Sequence, residues 1–144
     1  MALPLALLAL VVIGALVAGG FAAALLEQRM GRNLLYAVQA AGAAEAGAAD
    51  VVGRWEAEGL GLLAPGERRV LATAPYPGRA SYTPTVARLN TELYLLRVAG
   101  ARTDADGVAL ARRDVGLLLR VADSVKPEAP PVRPLANRSW IGAF

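Results

Sequence analysis

The sequence predicts an α+β protein in which one long N-terminal α-helix packs on a small antiparallel β-sheet. Residues 2–26 carry no charged side chain, residues 27–58 continue without proline in an amphipathic pattern, and from about Arg68 β-branched and aromatic residues alternate with polar ones. We therefore divide the chain into residues 1–26, the apolar half of the helix; 27–58, its amphipathic half; 59–123, the sheet domain; and 124–144, a proline-rich C-terminal tail.

The apolar half is long enough to cross a membrane, because 26 helical residues extend about 39 Å and a hydrocarbon core is about 30 Å thick. Pro4 lies in the first turn, where a missing N–H has no partner to lose. One interpretation of this segment is a signal peptide, but that would need basic residues before a shorter apolar core. A second is a simple membrane anchor, which would usually be flanked by Lys or Arg. The third interpretation is that a short basic leader was removed before Met1.

Small residues recur every fourth position in this half, which lets apolar helices approach one another closely. The repeats are Gly14, Ala18 and Ala22, and, one residue on, Ala15, Gly19 and Ala23. A GC-rich genome would also enrich Ala and Gly, so both interpretations stay open. Gly19 and Gly20 together weaken the helix, and we expect it to bend or open there.

The amphipathic half continues the same helix to near Glu58, with Gly59 and Gly61 as its stop. Apolar residues at three- and four-residue spacing form one stripe. The stripe consists of Met30, Leu34, Val38, Ala41, Ala44, Ala48, Val51 and Trp55. We expect it to pack on the sheet, with Met30, Leu34, Val38, Ala41, Val51 and Trp55 as the helix-to-sheet contacts.

The sheet is predicted to be a meander of three or four strands. A short strand at Arg69–Ala74 precedes a loop containing Pro75, Pro77 and Gly78. Tyr82–Leu89 and Leu93–Ala101 form a hairpin around Asn90-Thr91, and the last strand follows the turn Thr103–Gly107 and includes Val115–Val121. Asp104, Asp106 and Gly107 suit a hairpin turn better than a Ca²⁺ loop, which needs more oxygen ligands and a distal Glu.

The tail contains Pro127, Pro130, Pro131 and Pro134, which favour polyproline geometry, and it ends in an aromatic cluster. Trp140, Ile141 and Phe144 are expected to dock either on the parent domain or on a neighbouring subunit. Asn137-Arg138-Ser139 matches the N-glycosylation pattern, which is a weak signal.

Composition excludes several classes of chemistry. The chain has no Cys and no His, which rules out thiol nucleophiles, imidazole catalysis and the metal sites that need either residue. Its net charge of +3 comes from arginines interleaved with acids, so we predict no nucleic-acid partner. Glu56, Glu58 and Glu67 lie where carboxylates are ordinarily solvated, and no phosphate loop or nucleophile motif is present. We expect no enzymatic activity and no cofactor.

Three segments, Leu25–Gly47, residues 86–102 and residues 112–123, resemble the type IV pilin and pseudopilin family, in particular its minor-pilin branch. LLEQRMGRNLLYAVQAAGAAEAG (Leu25–Gly47) looks like the region where the family's apolar span gives way to an Arg-Asn pair and an Ala/Glu-rich helix. The hairpin VARLNTELYLLRVAGAR and the strand RRDVGLLLRVAD also look like that branch. One departure is that Leu5 stands where most bacterial pilins carry a Glu that pairs with a neighbour's free amine at the position of Met1. The disulfide loop common in pilins is absent as well.

The resemblance implies a structural subunit that sits in the bacterial inner membrane and then polymerises into an extracellular filament at the cell surface. Its partners would be copies of itself and the pilus assembly machinery. The helix positions assigned to assembly are Met1, Leu5, Gly14, Ala18, Gly19, Gly20 and Ala22. One alternative is a minor pilin or pseudopilin that primes or tips a pilus or a type II secretion machine. The other is a monomeric, single-span, membrane-anchored periplasmic binding module.

Overall fold

A computed structural model describes residues 2–122, 131–135 and 140–143. Its first element is helix α1, Ala2–Gly53, which spans 52 residues and is helical through Gly19 and Gly20. The helix ends earlier than the predicted Glu58. Residues 54–59 form turns, Gly59 adopts a left-handed conformation with φ of 61°, and a short 3-10 helix covers Leu60–Leu62. A positive φ of this kind favours glycine, which accounts for the residue type at position 59.

The chain forms two compact units, Met1–Leu35 and Tyr36–Phe144. The first unit is helical, and large apolar side chains on all sides of it are exposed, from Leu3 to Leu35. Its length and hydropathy are sufficient for a helix that crosses a membrane, and the relevant window has none of its surface buried. The helix is therefore a candidate membrane anchor or signal segment, since a signal sequence near the N-terminus would satisfy the same criterion.

The second unit contains one antiparallel sheet, and within the described part of the chain that sheet has seven strands. The strands are β1 Arg68–Val70, β2 Ala74–Tyr76, β3 Ala80–Arg88, β4 Leu93–Thr103, β5 Ala109–Val121, β6 Val132–Pro134 and β7 Trp140–Ala143. Strands β3, β4 and β5 form its centre. Strands β1 and β2 both pair with β3 at one edge, and β6 and β7 both pair with β5 at the other.

The α+β fold class is as predicted, but the sheet is larger than the expected three or four strands. Pro75 was expected in a loop and instead lies in β2, opposite Ser81. A short edge strand tolerates proline because a missing N–H can face away from the ladder. The tail contributes β6, which includes Pro134, and β7. Pro127, Pro130 and Asn137–Ser139 lie outside the described residues.

Small residues let the helix approach the sheet closely. Ala40, Ala43, Ala44 and Ala48 are buried on the helix face that contacts the sheet. A Cβ atom added to Gly100 in β4 would overlap the carbonyl oxygen of Ala40 and would lie 2.8 Å from the backbone nitrogen of Ala44. Glycine is thus required at this position because the helix backbone occupies the space of a side chain.

The core lies between the C-terminal part of α1 and the face of the sheet that contacts this helix. Val51 and Trp55 are buried there with Tyr82, Leu96 and other sheet residues. The Trp55 and Tyr94 rings meet edge to face with their centroids 5.0 Å apart, which is a favoured geometry for aromatic pairs. Ala41, which was also predicted to contact the sheet, is half-buried.

The predicted helix-to-sheet packing is wrong for Met30, Leu34 and Val38. Their side chains are 68%, 66% and 59% exposed. The apolar stripe identified a real apolar face, but the buried residues of the helix begin only at Ala40. Just upstream of Ala40, Tyr36 and Gln39 are half-buried, and both contact Arg102 of β4.

Candidate assembly surfaces

The apolar surface of α1 is the largest feature that the fold leaves uncovered. Gly14, Gly19 and Gly20 have no atom within 4 Å of where a Cβ would stand. Ala18 and Ala22 are likewise exposed. No contact within the described part of the chain therefore requires these residues to be small. The side chains of Met1 and Leu5, which were also assigned to assembly, lie outside the described residues.

This exposed surface extends beyond the charge-free segment. Met30, Leu34, Leu35 and Val38 are all more than half exposed, although Glu27, Arg29 and Arg32 are interspersed with them. Apolar helix surface of this extent is stable only in lipid or against other apolar surface. The exposed apolar residues are therefore those of a candidate membrane-spanning helix.

A cluster of polar side chains joins the C-terminal end of α1 to the sheet. The hydroxyl of Tyr82 donates a hydrogen bond of 2.8 Å to Oδ2 of Asp50. Arg54 binds the same carboxylate with two donors, one of them Nε at 2.8 Å from Oδ1, and it also donates to Glu58 at 3.1 Å. The Tyr82 ring itself covers Gly47, where an added Cβ would collide with it.

The cluster shifts the protonation equilibria of its members. Hydrogen bonds from Arg54, aided by the bond from Tyr82, lower the pKa of Asp50 against the opposing effect of its partial burial. Burial raises the pKa of Tyr82, and its hydrogen bond to Asp50 adds to that shift. Both shifts favour the states that hold the contact together, an ionised carboxylate and a neutral phenol.

Arg102 contacts the helix at the other end of the helix–sheet interface. Its Nε donates a hydrogen bond of 2.9 Å to the side-chain oxygen of Gln39, and its guanidinium lies 5.5 Å from the centre of the Tyr36 ring. It also donates to the backbone oxygen of Thr103. These contacts join helix residues 36–39 to the end of β4.

A cleft of about 500 Å³ opens beside the core. Its lining includes the apolar residues Trp55, Leu62, Tyr94 and Val121 and the acidic residue Glu56. Its size is within the range of small-molecule sites.

Arg88 fixes one wall of this cleft. Its guanidinium donates to three backbone oxygens, those of Leu63 at 2.6 Å, Asn90 at 3.0 Å and Thr91 at 2.9 Å. It also lies 5.4 Å from the centre of the Tyr94 ring. All three nitrogens of the guanidinium are thereby engaged in holding loops together, so Arg88 acts as a structural residue.

The Asp104 turn has the geometry of a capped hairpin. The Oδ1 atom of Asp104 accepts hydrogen bonds from the backbone nitrogens of Asp106 at 3.0 Å and Val108 at 2.8 Å. Gly107 has a φ of 83°, which favours glycine. Among the described residues there is no group of three or more potential metal ligands.

Two of the three predicted docking residues lie in a described element. Trp140 and Ile141 are in β7, opposite Leu117 and Gly116 of β5. Their side chains, like the whole of Phe144, lie outside the described part. The backbone pairing places this part of the tail on the parent sheet.

Several structural residues escaped the sequence analysis. Gly100 carried a usable signal, because an isolated glycine within a strand pattern indicates a close backbone approach. The Tyr82–Asp50 and Arg102–Gln39 contacts carried none, since the partners are 32 and 63 residues apart, and Arg88 binds backbone oxygens of loops. No protein-family model, curated protein or solved structure matches the chain.

Proposed function

We propose that the chain is the structural subunit of a type IV pilus-like filament, polymerising through its apolar N-terminal helix. One observation carries the proposal: a helix with large apolar side chains exposed on every side is joined to a folded unit with its own closed core. The open surroundings of Gly14, Gly19 and Gly20 support a packing role outside the chain.

In the proposed mechanism, the apolar surface of the helix first contacts lipid and later contacts the helices of other subunits. Before assembly the helix lies in the inner membrane, where its backbone groups are paired internally and its side chains face lipid. During polymerisation the same side chains pack against helices of neighbouring subunits, and the folded units lie outside that bundle. Since no acid occurs before Glu27, this filament relies on apolar packing rather than on a buried charge pair. No catalytic step is part of the proposal.

Electron microscopy of material sheared from cells that express the full chain tests the proposal. We expect filaments whose subunit is this chain, and N-terminal sequencing of that subunit shows whether Met1 is a processed end. A cell surface without filaments, with the chain extracted by detergent as a monomer, would contradict it. A few copies found only at the end of a filament would instead indicate a minor pilin or pseudopilin.

The cleft beside Trp55 favours a second candidate, a monomeric membrane-anchored binding module. Its apolar lining and its volume of about 500 Å³ would suit a small ligand. Such a module needs only one copy, so detergent extraction distinguishes it from a filament subunit, which is recovered as polymer.

A further inference from the structure

The outer face of the sheet, turned away from the helix, carries a concentration of arginines. In β4 the neighbours Leu96 and Val98 are buried, so the exposed Arg97 between them points to the opposite face. Residues paired across antiparallel strands share a face. By this register the outer face carries Arg68, Arg97, Arg112, Arg120 and Arg133, with Asp114 as an acid among them.

The positive charge of this face is only partly neutralised. Arg112 pairs with Asp114 at 3.2 Å, and Arg120 pairs with Glu92 at 3.1 Å. Arg120 also stands directly opposite Arg133 in the ladder, an arrangement that is unfavourable for folding. Arg68, Arg97 and Arg133 have no ion-pair partner among the described residues.

The helix layer of the same unit has the opposite charge. Residues 36–58 contain the acids Glu45, Asp50, Glu56 and Glu58 and one base, Arg54. Arg54 is already engaged with Asp50 and Glu58. Glu45 and Glu56 are exposed, and their carboxylates have no ion-pair partner in the described part of the chain. The outer sheet face is therefore positive, whereas helix residues 36–58 on the other side of the unit are net negative, with Arg113 of β5 as a further base on that side.

We propose that the outer sheet face of one copy binds the helix layer of a second copy, with Arg68 and Arg97 facing the carboxylates of Glu45 and Glu56. The two surfaces are complementary in charge and belong to the same chain. Because they are different surfaces, the contact is head-to-tail and leaves one of each free, which generates an open-ended polymer. This inference rests on the proposed filament function and specifies how the folded units join around the helices.

The centre of the outer face suits a protein partner. Leu95 and Leu118 are directly opposite each other, and both are half-buried, as is the neighbouring Ala99. A small apolar centre surrounded by charged residues is the usual anatomy of a protein interface. A polyanion such as nucleic acid would gain little from these residues, and Asp114 would repel it.

Charge reversal in full-length chains tests the contact. Arg68→Glu/Arg97→Glu makes both faces acidic, and Glu45→Arg/Glu56→Arg makes both basic. We expect each variant alone to reduce the yield of sheared filaments about tenfold or more. Combining all four substitutions in one chain, or co-expressing the two variants, should restore it. Arg79→Glu is the control, because Arg79 lies in the turn between β2 and β3, outside both proposed contact surfaces.

The same proteins in detergent provide a readout that does not depend on filaments. Sedimentation should show more association in a mixture of the two variants than in either variant alone. This difference in association should disappear at about 1 M salt, where the Debye length is about 3 Å. Wild-type yield from both single-face variants would overturn this inference and leave the filament function standing. The absence of wild-type filaments, with charge-dependent association intact, would contradict the filament function alone. Reversal of Arg68 and Arg97 that abolishes binding of duplex DNA but not assembly would also overturn the inference.

Discussion

The hydroxyl of Tyr82 and the carboxylate of Asp50 are joined by a hydrogen bond of 2.8 Å that connects strand β3 to helix α1. Because Tyr82 also covers Gly47, one side chain contributes both an apolar and a polar contact to the helix–sheet interface. We expect Tyr82→Phe to retain the apolar contact and to reduce the free energy of unfolding by about 1 kcal/mol. Chemical denaturation of the full chain in a mild detergent measures this, and an unchanged midpoint would show that the hydrogen bond contributes nothing.

The same pair predicts how stability depends on pH. The pKa of Asp50 is lower in the folded chain than its ordinary value, so the carboxylate stabilises the fold at neutral pH. That contribution is complete above about pH 4, the ordinary pKa of Asp, and is lost as the pH falls through the lower, folded pKa. Asp50→Asn should therefore be less stable than the wild type at neutral pH and should show a smaller loss of stability upon acidification.

Tyr82 gives the opposite dependence at alkaline pH. Its pKa is raised in the folded chain, so the neutral phenol stabilises the fold below about pH 10 and this contribution is lost as the pH rises through the folded value. Unfolding curves of wild type and Tyr82→Phe should converge at high pH. If the two curves keep a constant separation from neutral to alkaline pH, ionisation of Tyr82 is not coupled to folding.

Gly100 should be intolerant of any side chain. Because a Cβ there would overlap the backbone of Ala40 and Ala44, Gly100→Ala must push α1 away from the sheet or distort β4. We expect a loss of about 1–3 kcal/mol in the free energy of unfolding. The control is Gly53→Ala, since Gly53 has no atom within 4 Å of the added methyl group. Equal stability of the two variants would contradict the close approach.

The helix and the central hairpin were predictable because local patterns specify them. The charge-free segment, the alternation in residues 82–101 and the Asn90 turn each identify an element without knowledge of its partner. The partner of an amphipathic stripe is not specified locally. Met30, Leu34 and Val38 have the same spacing as Val51 and Trp55, yet only the latter two are buried. Strands β6 and β7 were missed for a related reason, since β6 is short and includes proline and both depend on pairing with β5.

This difference between the two parts of the stripe can be measured. Trp55→Ala removes a buried ring from the core and should cost about 3–5 kcal/mol. Val38→Ala changes an exposed side chain and should alter the free energy of unfolding by less than about 0.5 kcal/mol. If Val38→Ala nevertheless lowers the yield of filaments, the exposed part of the stripe contacts another subunit. A large destabilisation by Val38→Ala would show instead that this face is covered within the chain.

Gly14 and Gly19 provide the sharpest test of the helix as an assembly element. At either position an added Cβ meets no described atom beyond the adjacent helix backbone, and leucine has a better helix propensity than glycine by nearly 1 kcal/mol. Gly14→Leu and Gly19→Leu should therefore insert into the membrane as the wild type does, as judged by resistance to alkaline carbonate extraction. They should nonetheless block the recovery of sheared filaments, because the added side chains keep neighbouring helices apart. Ala9→Leu is the matched control, since Ala9 is exposed on the same helix but belongs to neither four-residue repeat. Normal filaments from all three variants would mean that the small residues reflect composition alone. The apolar helix would then act as a membrane anchor whose small residues are not needed for helix packing.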